Sequence, residues 1–260
     1  MGIVVVSWNM NWLGRNEGAR RVAWDYLVSA LHADVALVQE AAGPPSGWSI
    51  VGEPVIDDTR RWGTLVVSPV HDLQPVGQVQ RVGRDARPWS FSQPGRAAAA
   101  TTEIDGRPLT LVSLYGAFDA EGWSYATVHR HQADLAPLLD SPEHLRQTII
   151  AGDLNLTSQW SGKGAGYAPI DRSLLEHFKA WGLRDVVAES AAGPLEGCGC
   201  ADDPCRHVQT HWHRNSPRPW QDDYLFVSKR MQGQLTLRVD ASAVTEHRLS
   251  DHAPLVLTIG

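Results

Sequence analysis

Apolar residues in this chain fall into short unbroken runs, each closed by a cluster of polar side chains. Ile3 to Ser7 and Val35 to Val38 are aliphatic and rich in β-branched residues, which predicts buried strands. Between them Val22, Leu27, Val28 and Leu31 recur at helical spacing, predicting a helix within 17–32. Residues 64–67 predict a strand stopped by Pro69. Ala97–Ile104 and Pro108–Tyr115 flank Asp105-Gly106, a two-residue hairpin signal. A polar-faced helix is expected over Tyr125–Leu139, ended by Ser141-Pro142, and a strand over Thr148–Ala151 runs into Gly152-Asp153. A helix over Asp171–Trp181 stops at Gly182, and strands are expected at Tyr224–Ser228, Leu235–Val239 and Pro254–Ile259. Strands outnumber helices, and hairpins coexist with crossovers. The pattern therefore predicts an α/β fold with a mixed sheet, or two packed sheets, and helices outside. No internal repeat or dividing linker is visible, so 1–260 reads as one domain with long loops at 80–96 and 157–170.

The polar ends carry the chemistry. Asn9, Glu40, Tyr115 and Asp153 each follow the carboxyl end of an apolar run, whereas Asp223 and the pair Asp251-His252 precede one. In a mixed sheet, the exit of one strand and the start of an antiparallel neighbour share an edge, where ligands of open α/β sheets bind. Carboxylates about 5 Å apart repel by roughly 3 kcal/mol at an effective dielectric of 20. Several on one rim would shift their proton affinities or recruit a cation. An oxygen-rich donor set selects a hard ion, Mg²⁺ or Mn²⁺, the kind that binds substrate phosphate.

Composition narrows the partners. A formal charge of −6 argues against holding nucleic acid by bulk electrostatics, and Lys occurs only at 163, 179 and 229. With 43% hydrophobic residues, the 260-residue chain can bury a large core without a staple. No apolar stretch reaches the ~18 residues of a membrane span. Ile3–Val6 is too short for a signal peptide, so a soluble cytoplasmic protein is expected.

Seven segments, in order, resemble the endonuclease/exonuclease/phosphatase superfamily of metal-dependent phosphoesterases. They are Trp8-Asn9, Gln39-Glu40, Gly63-Thr64-Leu65, Val112–Tyr115, Gly152-Asp153-Leu154-Asn155, Asp223-Tyr224-Leu225-Phe226 and Ser250-Asp251-His252. The resemblance implies a four-layer sandwich of two packed mixed sheets flanked by helices, with the site at one rim. It implies Glu40 as principal ligand of Mg²⁺ or Mn²⁺, with Asn9 and Asp251 near the ion directly or through water. Asp153 would orient or deprotonate the attacking water, and Asn155 would position it or the phosphate. His252 and Asp223 would form a His–Asp pair and Tyr115 would face the scissile phosphate; Asp222 is the competing partner, but the Asp-Tyr register favours Asp223 and leaves Asp222 toward solvent. Asn11 is open between a second polar group of the site and a turn cap.

The reaction implied is phosphodiester hydrolysis, with a nucleic acid (DNA or RNA) as the expected substrate. Phosphomonoester or lipid and inositol phosphate hydrolysis on the same core is the alternative; a non-catalytic binding module is the second. Arg81, Arg84, Arg87 and Arg96 interleave with Trp89 and Phe91, suggesting a groove lining. Arg96, Trp160 and Lys163 are the expected substrate contacts. Thr210-His211-Trp212 resembles the Thr-x-Trp segment of the apurinic endonuclease branch. All three cysteines, Cys198, Cys200 and Cys205, lie within eight positions, with His207 two residues on. This set is enough for a closed structural zinc site pinning an insertion at about 190–215; His211 and His213 are alternative ligands. The other reading is a loop of reduced thiols, or one disulfide and a spare.

Overall fold

The computed structural model describes residues 2–53, 55–56, 61–120, 122–159 and 168–260. In chain order the first half runs β1 (Ile3–Asn9), α1 (Glu17–Ser29), β2 (Val35–Ala41), β3 (Ser49–Val51), β4 (Val55–Ile56), β5 (Arg61–Ser68), β6 (Gln74–Pro75), β7 (Gln78–Val79), β8 (Arg87–Pro88), β9 (Ala97–Ile104) and β10 (Arg107–Tyr115). The second half runs α2 (Tyr125–Leu139), α3 (Pro142–Leu145), β11 (Thr148–Asp153), α4 (Ala168–Ala180), β12 (Leu183–Asp185), α5 (Val186–Ser190), β13 (Asp223–Ser228), β14 (Leu235–Val239), α6 (Ser242–Thr245) and β15 (Leu255–Ile259).

One sheet has the order β14-β15-β1-β2-β5-β3, with β4 also paired to β5; the other has the order β12-β13-β11-β10-β9-β6. Among the described residues each contains a single parallel pair, β1 with β2 and β10 with β11, and antiparallel neighbours elsewhere. A parallel pair needs a crossover, which α1 supplies in the first sheet and α2 with α3 in the second. Asn16 caps α1, its side chain accepting the Ala19 N–H.

Three apolar layers explain why the strands read as continuous runs instead of alternating ones. Val5, Leu37 and Val66 of the first sheet face Leu111, Ile149 and Leu225 of the second. On the first sheet's outer face, Trp8, Val38 and Leu65 pack with Trp24 and Leu27 of α1. On the second sheet's outer face, Val112, Ile150 and Phe226 meet Val128 and Leu135 of α2 and Leu174 and Phe178 of α4. Strands covered on both sides carry apolar residues at every position. The result is the expected four-layer sandwich.

The two parallel pairs stack on each other, β1 against β11 and β2 against β10 and β11. Stacking them brings their carboxyl ends to one rim. Helix α4 begins at Ala168, three residues before the expected Asp171, and the strand into Gly152-Asp153 extends through both. No helix among the described residues is long and apolar enough to cross a membrane.

Candidate active site

Glu40 reaches the rim because β2 is irregular there. Val38 pairs with Leu65 of β5, but the next partners are Ala41 and Gly63, so the pairing register shifts across Gln39 and Glu40. Glu40 takes φ 46°, a left-handed conformation that a non-glycine residue rarely adopts. A bulge of this kind re-aims a side chain. Gln39 stays buried and donates to Ser113 Oγ at 2.9 Å, tying β2 to β10 across the sheet interface. Asn11 (φ 45°) and Asn155 (φ 49°) are also left-handed. Three unusual backbone conformations at one rim are the kind of strain found at functional sites.

Asp153 arrives by close backbone approach. A Cβ on Gly152, whose φ is 154°, would lie 1.9 Å from the Leu114 carbonyl oxygen, and one on Gly116 would lie 1.8 Å from that of Leu154. Only hydrogens fit between the ends of β10 and β11. The buried Asp153 carboxylate accepts Asn9 Nδ2 at 2.7 Å and the Asn155 backbone N–H at 2.9 Å. Asn155 Nδ2 lies 3.2 Å from the same carboxylate. Asn9 Nδ2 also faces Glu40 Oε1 at 3.3 Å, so one amide spaces two carboxylates. Tyr115 OH donates to Glu40 Oε1 at 2.9 Å, and its ring meets Trp62 edge-on.

Asn9 was expected near an ion, directly or through water. Here its Oδ1 accepts the Asn11 N–H at 2.9 Å, and the NH₂ group faces the carboxylates. Asn11 makes contacts of both kinds: Oδ1 accepts the Gly14 N–H in a turn, while Nδ2 donates to Asp251 Oδ1 at 2.7 Å.

His252 Nδ1 donates to Asp223 Oδ2 at 2.8 Å, and its Nε2 lies 3.9 Å from Asp153 Oδ2. Trp8 Nε1 donates to the His252 carbonyl at 2.8 Å, and Ser250 Oγ donates to that of Asn9 at 2.7 Å. These bonds fix the segment before β15 against β1. Burial disfavours charge on His252, but the Asp223 and Asp153 carboxylates outweigh it and hold the imidazole well above the usual histidine range. Burial also lifts Asp153 well above the usual carboxylate range, against the pull of His252. Burial pushes Asp251 upward too, yet His252, His211 and the Asn11 amide together keep it below the ordinary value.

Sequence reasoning missed a second dyad. His211 Nδ1 donates to Asp222 Oδ2 at 2.6 Å, and the His211 ring stacks on His252 at 4.1 Å with 9° between planes. Asp222 therefore does not face solvent as expected; its side chain is 13% exposed and held by His211. His211 is placed on this rim by backbone bridges to Trp220 and His252, which removes it from the cysteine cluster. The doubled Asp222-Asp223 was the available signal, since successive residues entering a strand point to opposite faces and each needs a partner.

Beside the dyads lies a pocket of about 490 Å³ lined by Phe118, Trp123, Tyr125, Asn155, His211 and Trp220 among others. The arginine-rich loop does not line it as expected. Trp89 donates to the Asp134 carbonyl in α2, Phe91 packs against Trp89 and His131, and Arg81 pairs with Asp140 at the end of α2. Of that loop Arg96 approaches the rim, its carbonyl accepting the Tyr115 N–H at 2.9 Å. Trp160 and Lys163 lie outside the described residues.

Tyr115 is held from behind by His131, whose Nε2 donates to the Tyr115 carbonyl at 3.1 Å. Burial lowers His131 to about 4. The unfolded chain thus takes up this proton near 6.5 and the native state near 4, so the contribution is full above 6.5 and lost as pH falls between the two. That loss amounts to roughly 3 kcal/mol. Denaturant midpoints at pH 7.5 and 4.5 should converge for His131→Gln relative to the parent; an unchanged difference would exclude this residue as the cause.

No protein-family model matches the chain, and no curated protein sequence does. Solved structures do match. An AP endonuclease from Leishmania major aligns at 17% identity with TM-score 0.67, covering 99% of this chain and 87% of that one. An AP endonuclease from Archaeoglobus fulgidus aligns at 13% identity with TM-score 0.65, covering 99% of both. A 3′ phosphatase from Neisseria, bound to a product DNA hairpin, aligns at 17% identity with TM-score 0.64, again covering 99% of both. The chain has the endonuclease/exonuclease/phosphatase fold.

Proposed function

We propose that this protein is a divalent-metal-dependent phosphodiesterase acting on nucleic acid. The observation that carries the reading is the meeting, at the rim of both sheets, of Glu40, Asp153 and Asp251 with the His252–Asp223 pair. Isolated carboxylates on strand ends are usually solvated; here Asp153 is buried and shares the Asn9 amide with Glu40. Carboxylate oxygens without thiolate suit a hard cation, Mg²⁺ or Mn²⁺. Glu40 and Asp251 would hold it, with Asn9 spacing Glu40 from Asp153. When bound, such an ion supplies Lewis-acid neutralisation of charge on the phosphoryl and leaving oxygens.

The chain's own groups do the rest. Asp153, with its raised proton affinity, accepts a proton from the attacking water, and Asn155 orients that water or a phosphoryl oxygen. His252, kept charged by Asp223, presents Nε2–H to a non-bridging oxygen as negative charge grows there. Tyr115 OH, now on Glu40, is placed to donate to the same phosphate.

Nucleic acid is favoured by the aromatic pocket. Phe118 stands 54% exposed at its wall beside Trp123, Tyr125 and Trp220, surfaces on which a base or sugar can stack. The neighbours include AP endonucleases and a 3′ phosphatase bound to DNA. Purified protein should be incubated with abasic duplex, 3′-phosphate duplex, supercoiled plasmid, single-stranded RNA and bis(p-nitrophenyl) phosphate, with Mg²⁺, Mn²⁺ or EDTA. Cleavage of at least one nucleic acid, falling about 10²-fold or more in EDTA, is expected. Turnover of only the small diester, or equal rates in EDTA, would overturn the reading.

A further inference from the structure

The connection from α5 to β13 spans 191–222 without a named helix or strand, yet it delivers His211, Trp220 and Asp222 to the pocket. A loop of this length needs something to hold it. Cys198, Cys200, Cys205 and His207 offer ligand atoms that all lie within 4.8 Å of one another. His207 Nδ1 is 3.6 Å from Cys198 Sγ and 3.5 Å from Cys205 Sγ. In a tetrahedron with Zn–S near 2.3 Å and Zn–N near 2.1 Å, the S···N edge is about 3.6 Å. A disulfide requires sulfurs about 2.05 Å apart, and all three cysteines are free thiols.

The surroundings also fit an ion. With Nδ1 turned to the cluster, His207 Nε2–H donates to Ser158 Oγ at 2.7 Å, fixing the tautomer that ligation needs. Gln159 Nε2 donates to Cys198 Sγ at 3.1 Å, an outer partner that orients the sulfur. Cys198 and His207 are buried. We propose that Cys198, Cys200, Cys205 and His207 bind one structural zinc ion in a closed tetrahedral site separate from the catalytic rim.

Its reach follows from Gln159. The same amide donates to the Pro219 carbonyl at 3.0 Å and accepts the Gln221 N–H at 2.7 Å. The cluster is thereby joined to the returning end of the loop, next to Trp220 and Asp222. The ion would brace the segment that carries the pocket wall.

The test is metal content, which does not depend on the phosphodiesterase reading. Protein purified without chelator should contain about one zinc per chain, retained through an EDTA wash that removes magnesium. X-ray absorption should show three sulfur and one nitrogen neighbours, and cobalt substitution should give tetrahedral thiolate bands. Cys198→Ser and Cys205→Ser should lose the zinc. Because those variants can misfold, His207→Cys provides a second reading: it should keep the zinc with an all-sulfur shell. Absence of zinc after reconstitution under reducing conditions would overturn the site. So would zinc retained in both serine variants, or an unchanged shell in His207→Cys.

Discussion

Replacing His252 by Gln should lower kcat on a nucleic acid or diester substrate by about 10³-fold while leaving the protein folded. Gln keeps an N–H for Asp223, so the buried carboxylate is not left without its partner, which would itself cost several kcal/mol. What is lost is the charged second nitrogen, 3.9 Å from Asp153, to which the proposed mechanism gives the phosphoryl oxygen. Asp223→Asn should cost a comparable factor, because its amide no longer favours the imidazolium. The two act as one unit, so the double variant should be no slower than His252→Gln by more than about threefold. Steady-state rates, with circular dichroism as the folding control, decide this. A His252→Gln enzyme within tenfold of the parent would remove His252 from the chemistry.

Gly152→Ala should destabilise the protein by about 4 kcal/mol or more, enough to abolish folded, soluble material. The added Cβ would sit 1.9 Å from the Leu114 carbonyl oxygen, in a strand pair that has no slack, at a φ of 154° that side chains rarely adopt. Backbone cannot step aside as a flexible side chain can. Gly106→Ala is the matched control: its φ is 74°, but nothing lies within 4 Å of the new methyl. It should cost about 1 kcal/mol, the conformational penalty alone. Urea or thermal unfolding of the two variants separates steric exclusion from backbone strain; equal effects would show that the approach of β10 and β11 is not what Gly152 permits.

The sequence disclosed those parts of the molecule whose cause is local. Ile3–Ser7, Val35–Val38 and Tyr224–Ser228 are strands because no polar residue interrupts their two buried faces. Asp105-Gly106 turns the β9–β10 hairpin with both residues at positive φ. What was hidden depends on partners distant in the chain. The two-residue strands β4, β6, β7 and β8 have no period to read and exist only because a neighbour's edge accepts them. Trp89 and Phe91 looked like groove residues and are packing, since nothing in their own segment announces α2 beneath them. The bulge at Glu40 is a property of the pairing with β5, and the link between His211 and Asp222 spans a loop with no regular structure. The rim residues and the His252–Asp223 pair were legible; the Asn9–Asp153, Tyr115–Glu40 and His211–Asp222 contacts were not.

Three contacts of that rim join one sheet to the other: Asn9 to Asp153, Tyr115 to Glu40, His252 to Asp223. β15, which follows His252, lies between β14 and β1, so the strand that anchors this histidine is held by pairing on both edges. Docking of β15 therefore decides whether His252 stands at the rim, so loosening the β15–β1 pairing should part the His–Asp pair without touching either residue.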